Sequence, residues 1–495
     1  MVFCGIVSSL GSFSLGWTIG SPNIVGRITH DCSPSIDYTH NSVLPDCIPM
    51  STLLWGFAVS SYCLGGLVAS LLAGTILNRI GRKKTISLNN LGWLIGAVLI
   101  ALSTSPVMFV FGRIFCGLSC GLGSVATPTY NGEISTTRGR GTIGTLNQLF
   151  IVIGILSSNL VGLVLATVPM WRVSYALVIL PALLQMVMMP FCVESPRYLI
   201  SKNRIDEAKN ALQRLRGKCL VDGELSDIIA GQLGVAATLP ESSSTLDLSI
   251  KKVSTKEVVA ESPQKFKQAY SIRDLFNDPV VFQITCIVMV LHATQQLSAV
   301  NGVMYYSTTI FDAAFDQQTS MYIAIATSGV NLVVSLLSAF LIDHVGRRFL
   351  LILAMVGGCV TGITLALGGY FQQQVVLVVS VFLFVSSFAI GLGSIPWMIT
   401  SELAPTHAAS SVGAVATSIN WASNFVIGLL FPTLLATLHS FAFLIFSAIL
   451  LLATIYTIVY VPETKGRSLE EINASFERRI RYGISNNDLK NEIVE

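Results

Sequence analysis

The feature that most restricts this chain is a series of apolar stretches, each long enough to cross a bilayer as a helix. A hydrocarbon core about 30 Å thick takes about 20 apolar residues at a rise of 1.5 Å each. Runs of that length lie near 2–24, 52–77, 85–104, 107–130, 142–168 and 171–192. After a long polar interval, six more lie near 280–311, 320–342, 349–371, 375–401, 410–435 and 439–461. Backbone in lipid must satisfy its own hydrogen bonds, so runs of this length are helices; a barrel would show alternating segments of about ten residues. The expected fold class is therefore an all-α membrane protein with twelve transmembrane helices. Of the 495 residues 52% are hydrophobic and only 12% charged, against about 25% charged in soluble domains, which argues against a water-soluble enzyme. A net charge of +3, with its basic residues beside the apolar runs, excludes a nucleic-acid partner and leaves the lipid bilayer as the expected surroundings.

Four parts are expected: a first six-helix bundle over 1–192, a linker over 193–279, a second bundle over 280–461 and a tail over 462–495. The first run has no preceding basic stretch or evident cleavage site, so it is expected in the mature protein. Turns after even-numbered helices carry Arg79, Arg82, Lys83 and Lys84, then Arg138 and Arg140, then Arg347 and Arg348. The opposite turns carry little beyond Arg27 and Arg172. The excess of positive charge on inner loops then puts both termini and the linker in the cytoplasm. Inside the linker, Ile205, Ala208, Leu212 and Leu215, and again Leu225, Ile228, Ile229 and Leu233, recur at helical spacing and predict amphipathic helices. From 236 to 268 the sequence is rich in Ser, Thr, Glu and Lys, too polar to repay the entropy of ordering, and reads as a flexible stretch.

The chain also repeats itself. Gly81-Arg82-Lys83 after the second run returns 265 residues later as Gly346-Arg347-Arg348. Glu133 and Glu194 return 269 residues later as Glu402 and Glu463. Two similar halves are implied, an arrangement that puts a carrier's site near the midplane between them. Most of the ten cysteines lie inside apolar runs and read as small packing residues. Cys32 and Cys47 share a predicted outer loop, where a disulfide is an open alternative.

Polar groups inside the runs are the candidates for meeting a solute: Asn147, Gln148, Gln295, Gln296, Asn301, Asn331, Asn420 and Asn424. Neutral amides both donate and accept, which suits a ligand covered in hydroxyls, and Trp397, Trp421, Phe388, Tyr305 and Tyr306 offer flat apolar faces beside them. Each amide can equally serve to join helices; eight on four helices from both halves favour a shared cavity. At about 0.5 to 1.5 kcal/mol per net hydrogen bond, less desolvation, the expected binding is about 4 kcal/mol, a millimolar affinity.

Ion coupling ordinarily needs an ionisable group within the membrane. Glu133, Asp343 and Glu402 fall at inner ends of runs and Asp312 at an outer end. Arg113 and His292 are the titratable exceptions, and each reads first as a bonded packing residue. The inner acids lie close to bases in sequence: Glu133 with Arg138 and Arg140, Glu194 with Arg197, Asp343 with Arg347 and Arg348, Glu463 with Lys465 and Arg467. With Arg82 and Glu402 they are expected to form a latch between the halves that breaks on inward opening. No metal-ligand, phosphate-loop or nucleophile motif is present, so neither enzyme activity, cofactor nor metal is expected. Gly117, Gly121 and Gly123 read as packing positions.

These residues, with Gly144-Thr145-Leu146-Asn147-Gln148, Glu194-Ser195-Pro196-Arg197, Gln295-Gln296-Leu297-Ser298, Tyr305-Tyr306-Ser307, Ile395-Pro396-Trp397 and Pro462-Glu463-Thr464-Lys465-Gly466-Arg467, resemble the sugar porters of the major facilitator superfamily, and within them the facilitative glucose transporters. The resemblance covers nearly the whole chain. It implies the major facilitator fold and sugar contacts from Gln148, Gln295, Gln296, Asn301, Asn331 and Trp397, with Asn420 and Asn424 as further candidates and Ile151 and Ile155 as apolar lining. Proton-coupled relatives carry an Asp where this chain has Thr18, which points to a uniporter. Departures are His292-Ala293-Thr294 in place of Gln-Leu-Ser, Ala389 in place of a Glu, Met304 in place of an aromatic, and Ala408-Ala409 where an Arg is usual after Glu402.

The expected function is thus facilitative transport of a hexose, with glucose the first candidate, by a protein working as a monomer in the plasma membrane. A proton-coupled hexose symporter and a non-transporting sugar sensor are the alternatives.

Overall fold

The computed structural model describes residues 1–32, 44–136, 140–217, 221–233, 270, 273–405, 408–465, 471–472, 475–476 and 478. Among them every regular element is helical. The first bundle contains α1 (Val2–His30), α2 (Thr52–Ile80), α3 (Arg82–Ala101), α4 (Pro106–Ile134), α5 (Arg140–Leu165), and the pair α6 (Trp171–Ala176) and α7 (Ile179–Met188). The linker forms α8 (Pro196–Ser201), α9 (Ile205–Arg216) and α10 (Asp222–Leu233). The second bundle contains α11 (Pro279–Leu297), α12 (Val300–Asp312), α13 (Gln317–Val345), α14 (Arg347–Tyr370), α15 (Gln374–Ile390), α16 (Ile395–Leu403), α17 (Ala409–Leu438) and α18 (Ala442–Tyr460). Among the described residues eleven stretches are long and apolar enough to cross a membrane. The last spans 50 residues, Ser411–Tyr460, about 75 Å of helix at 1.5 Å per residue. It turns back at His439, where φ is +50°, so there are twelve crossings.

Side chains set the helix ends. Ser51, Ser105, Asp278 and Asp316 accept from backbone N–H groups of the first turns that follow them, satisfying donors with no intrahelical partner. Pro106 and Pro279 take first-turn positions that need no N–H. Gly81 and Gly346 turn the chain between consecutive helices at φ +90° and +106°, a conformation that only glycine adopts cheaply. A Cβ would also meet the Glu194 carboxylate at 2.6 Å in the first case and the Glu463 carboxylate at 2.8 Å in the second. The repeated Gly-Arg and Glu pairs of the sequence are thus one physical unit, built twice.

Within the first bundle α1 packs on α5 and α2 on α4. Glycine permits the close approach: a Cβ on Gly117 would overlap the Tyr62 carbonyl, and one on Gly121 the Gly66 carbonyl. Between the bundles α2 lies along α17 and α5 along α13. The linker helices dock on the first bundle. Ala208, Leu212 and Leu215 of α9 and Leu225 of α10 join Val7, Leu77, Ala126, Tyr130 and Ile134 in one apolar cluster. Arg216 ties the join by donating to the Ile134 carbonyl at 2.9 Å and pairing with Glu224 at 2.6 Å. At the opposite face Cys32 and Cys47 are joined by a disulfide. We call the two ends the linker face and the disulfide face. The flexible stretch expected over 236–268 lies outside the described residues.

Two predicted crossings are broken rather than continuous. The seventh divides at Ser298 and Ala299, where Ala299 has φ +66°. The tenth divides at Gly391–Ser394. The sixth loosens between α6 and α7, where Leu177 and Val178 keep right-handed helical dihedrals.

Candidate functional site

A cavity of about 960 Å³, its mouth included, lies between the bundles. Its first wall is built from Ser12, Leu15 and Ile19 of α1, Tyr62 of α2, Cys120 and Ser124 of α4, and Asn147, Gln148, Ile151, Val152 and Ile155 of α5. Facing it are Gln295 and Gln296 of α11, Asn301 and Met304 of α12, Asn331 of α13, Phe388 of α15, Trp397 of α16, and Asn420, Trp421 and Asn424 of α17. All ten residues named above as sugar contacts or lining, Gln148, Ile151, Ile155, Gln295, Gln296, Asn301, Asn331, Trp397, Asn420 and Asn424, are brought together here.

The helix breaks explain how the second wall presents its amides. Gln295 Nε2 donates to the carbonyls of Leu392 at 2.6 Å and Gly393 at 2.9 Å. Unwinding between α15 and α16 leaves these oxygens free of intrahelical bonds, so one broken helix supplies acceptors to a side chain of the other. Gln295 Oε1 accepts from Asn420 at 2.7 Å, Gln296 donates to Asn420 Oδ1 at 3.0 Å, and Asn301 donates to Gln296 Oε1 at 2.6 Å. On the first wall Ser12 donates to Asn147.

Toward the disulfide face the bundles are sealed. Asn23 of α1 donates to Ser307 at 2.8 Å and accepts from the Thr308 backbone N–H at 3.1 Å. Asn159 of α5 donates to Ser328 of α13 at 2.8 Å. Tyr62 and Tyr305 share a hydroxyl bond, while Asn424 accepts from Tyr305 at 2.8 Å and donates to Tyr62 at 3.2 Å. Toward the linker face there is open space beside Gly132, Gly144 and Gly413, where a Cβ would meet no atom of a neighbouring element within 4 Å.

Arg113 and His292, the two groups singled out by sequence, are both fully buried beside this site. Arg113 donates to the carbonyls of Thr18 at 2.9 Å and Val59 at 2.6 Å, and its guanidinium lies 4.9 Å from the Tyr62 ring centroid. His292 meets Thr400, Asn420 and the edge of Trp397. Neither lines the cavity.

At the linker face the acids find partners between helices as well as in the local sequence, where Glu194 accepts the Ser195 N–H and Glu463 those of Thr464 and Lys465. Glu133 pairs with Arg82 at 2.9 Å, and Glu402 with Arg347 at 3.4 Å. Glu194 accepts the backbone N–H groups of Arg82 and Lys83 at 3.1 and 3.0 Å, and Glu463 those of Arg347 and Arg348 at 3.0 and 3.1 Å. Each glutamate therefore caps the positive end of the helix that follows the repeated glycine, and all these contacts lie within one half. Arg197 sits exposed on α8; the side chains of Arg140 and Asp343 lie outside the described residues.

Ser12, Tyr62, Cys120 and Ser124 line the cavity without having been singled out by sequence. A Ser or Tyr inside a helix reads as ordinary packing, and only the closeness of Tyr62 to Asn424 and Tyr305 marks it.

Broken helices and paired amides around a cavity between two bundles define a membrane carrier. The chain belongs to the sugar transporter family: the family described as "Sugar (and other) transporter" matches residues 4–476. It is 36% identical over 497 aligned residues to facilitated glucose transporter member 3 of solute carrier family 2 from Mus musculus, covering 98% of this chain and 94% of that one. To member 4 from Homo sapiens it is 35% identical over 490 residues, covering 95% and 89%. Among solved structures, a partially occluded inward-open conformation of the xylose transporter XylE from E. coli matches with a TM-score of 0.73 at 22% identity, covering 94% of this chain and 99% of that one. The proton:xylose symporter XylE bound to 6-bromo-6-deoxy-D-glucose matches with a TM-score of 0.73 at 23% identity, covering 96% and 98%. The fold is the major facilitator fold, and the protein is an integral, multi-pass membrane protein of a family of transporters rather than enzymes.

Proposed function

We propose that this protein carries a hexose, glucose first among the candidates, down its gradient across a membrane as a uniporter working by alternating access. The observation that carries the reading is the chemistry of the cavity wall. Amides, hydroxyls, indoles and aliphatic groups come from both bundles, with no carboxylate, ammonium, guanidinium or imidazole among the described lining residues. Such a wall suits a neutral polyol: amides exchange donors and acceptors with hydroxyls, Trp397 can cover a ring face, and Ile151 and Ile155 give an apolar flank. The names of the matched relatives, facilitated glucose transporters, support the same substrate. Proton coupling would need a charge that changes during the cycle, and the Arg113 guanidinium beside the cavity is tied to backbone carbonyls of Thr18 and Val59.

On this reading the linker face is cytoplasmic and the carrier resides in the plasma membrane as a monomer. The bundles 1–192 and 280–461 rock about the cavity, joined by the linker 193–279 and followed by the tail 462–495. When the cytoplasmic face closes, the charged clusters around Arg82, Glu133, Arg347 and Glu402 meet across the seam, with Arg140, Arg197 and Asp343 beside them. Glu194 and Glu463 hold the arginine-bearing turns in place. Removing the charge of Arg82 or Arg347 is expected to abolish transport.

The test is uptake of labelled glucose, galactose, fructose and xylose into liposomes holding the purified protein. The expected result is saturable equilibration that a protonophore leaves unchanged. Accumulation driven by a pH step would replace the uniporter with a symporter, and a protein that binds hexose without moving it would be a sensor.

A further inference from the structure

We infer that His292, one layer behind the cavity, is a positioning residue whose ring, together with Gln295, fixes the direction in which the site amides point. The inference rests on the reading of the cavity as the hexose site. The Thr400 hydroxyl donates to the Pro396 carbonyl at 2.8 Å, so the single proton of that hydroxyl is committed and its oxygen can only accept. His292 Nε2 lies 3.0 Å from that oxygen and must carry the ring proton. Nδ1 is then a bare acceptor, and Asn420 Nδ2 approaches it at 3.3 Å, with the His292 backbone carbonyl beside it at 3.4 Å, while donating to Gln295 Oε1 at 2.7 Å.

With its amino group held there, Asn420 turns its carbonyl oxygen toward Gln296 Nε2 at 3.0 Å. Gln296 in turn offers Oε1 to Asn301 Nδ2 at 2.6 Å. The outcome at the cavity wall is a defined polarity: Asn301 spends a donor inward and keeps its carbonyl oxygen for a sugar hydroxyl. The same imidazole packs against Trp397, with ring centroids 4.6 Å apart and planes at 89°, so the stacking surface and the amide row share one support. Supporting groups behind a site govern how well its contacts are held.

The experiment compares hexose transport by the wild type, His292→Leu, His292→Gln and Thr400→Val in proteoliposomes. Leucine fills the space and removes both ring nitrogens. We expect KM to rise about tenfold with kcat little changed, the loss of one oriented buried hydrogen bond. Glutamine can accept from Asn420 with its oxygen and donate to Thr400 with its nitrogen, and is expected to restore KM to within about threefold. Thr400→Val, which removes the acceptor that sets the tautomer, should move KM in the direction of His292→Leu. An unchanged KM in His292→Leu, or a His292→Gln protein as poor as His292→Leu, would overturn the inference.

A second readout does not depend on transport. Nitrogen-15 spectra of histidine-labelled wild type, with the His292 signals assigned by their loss in His292→Gln, should show a neutral ring protonated at Nε2. A ring protonated at Nδ1, or at both nitrogens, refutes the positioning role. Wild-type protein that moves no hexose refutes the carrier reading instead.

Discussion

Replacing Asn23 with alanine tests how the seal at the disulfide face controls access to the cavity. The Asn23 amide donates to Ser307 and accepts from the Thr308 backbone N–H. That N–H is available because Tyr306, at φ −132° and ψ 20°, interrupts the helical geometry of α12. Alanine removes these side-chain bonds, keeps the one from the Thr308 hydroxyl to the Asn23 backbone carbonyl at 2.7 Å, and leaves the N–H without this acceptor only while the seam is shut; once the seam opens, water can satisfy it. Hydrogen bonds between membrane helices average about 0.6 kcal/mol and reach about 1.7, and a buried unsatisfied donor adds about 1 to 3. Taken conservatively, the sealed state loses about 2 to 3 kcal/mol relative to the open one, a shift of about 30- to 150-fold in the equilibrium. Spin labels at Leu53→Cys on α2 and Gln318→Cys on α13, both exposed near the disulfide face, report the separation of the bundles by pulsed electron resonance. The Asn23→Ala protein should gain a population at longer distance that the wild type shows weakly. Superimposable distance distributions, with thermal stability unchanged, would refute the account of the seal.

Four further outcomes follow from the structure. Gly117→Val pushes side-chain atoms into the Tyr62 carbonyl and should destabilise the first bundle by about 2 to 4 kcal/mol, seen as loss of monodisperse protein on size exclusion. Gln295→Leu leaves the Leu392 and Gly393 carbonyls unpaired and should raise the hexose KM at least about tenfold in equilibrium exchange. Glu194→Gln and Glu463→Gln weaken the caps on α3 and α14; each should lower stability by about 1 to 2 kcal/mol, read as a lower melting temperature. At Asp316, hydrogen bonds from Thr319 hold an exposed carboxyl below its ordinary value of 3.8. Its cap on α13 is therefore complete above that pH and is lost as pH falls through the lower folded value, so Asp316→Asn should flatten the acid limb of a stability profile.

The crossings were legible because their length answers to one physical quantity, the thickness of the hydrocarbon. The predicted 52–77 and 320–342 differ from α2 and α13 by a few residues at polar ends that continue helically beyond the apolar window. The breaks at 298–299 and 391–394 were not legible, since an apolar average takes no account of backbone direction. The cue at the second was the run Gly391-Leu392-Gly393-Ser394-Ile395-Pro396, glycines followed by a proline, which cannot continue a helix regularly. The cavity amides stood out as polar groups in apolar runs, whereas Tyr62 and Ser12 did not. Along the sequence the acids at the linker face stand next to bases as their nearest partners. In the fold Glu194 and Glu463 accept the N–H groups of a helix more than a hundred residues earlier, and Glu133 and Glu402 pair with Arg82 and Arg347 of other helices, adjacencies that only the folded chain supplies.

The uncharged cavity wall has an electrical consequence. A membrane voltage does work on charge that moves, about 2.3 kcal/mol per elementary charge for each 100 mV. Lining side chains without formal charge, facing a neutral cargo, give that field little to act on. Arg113, bonded to carbonyls of α1 and α2, travels only as far as its own half does. Turnover is then set by concentrations on the two sides, and depolarising the cell should leave the flux where it was.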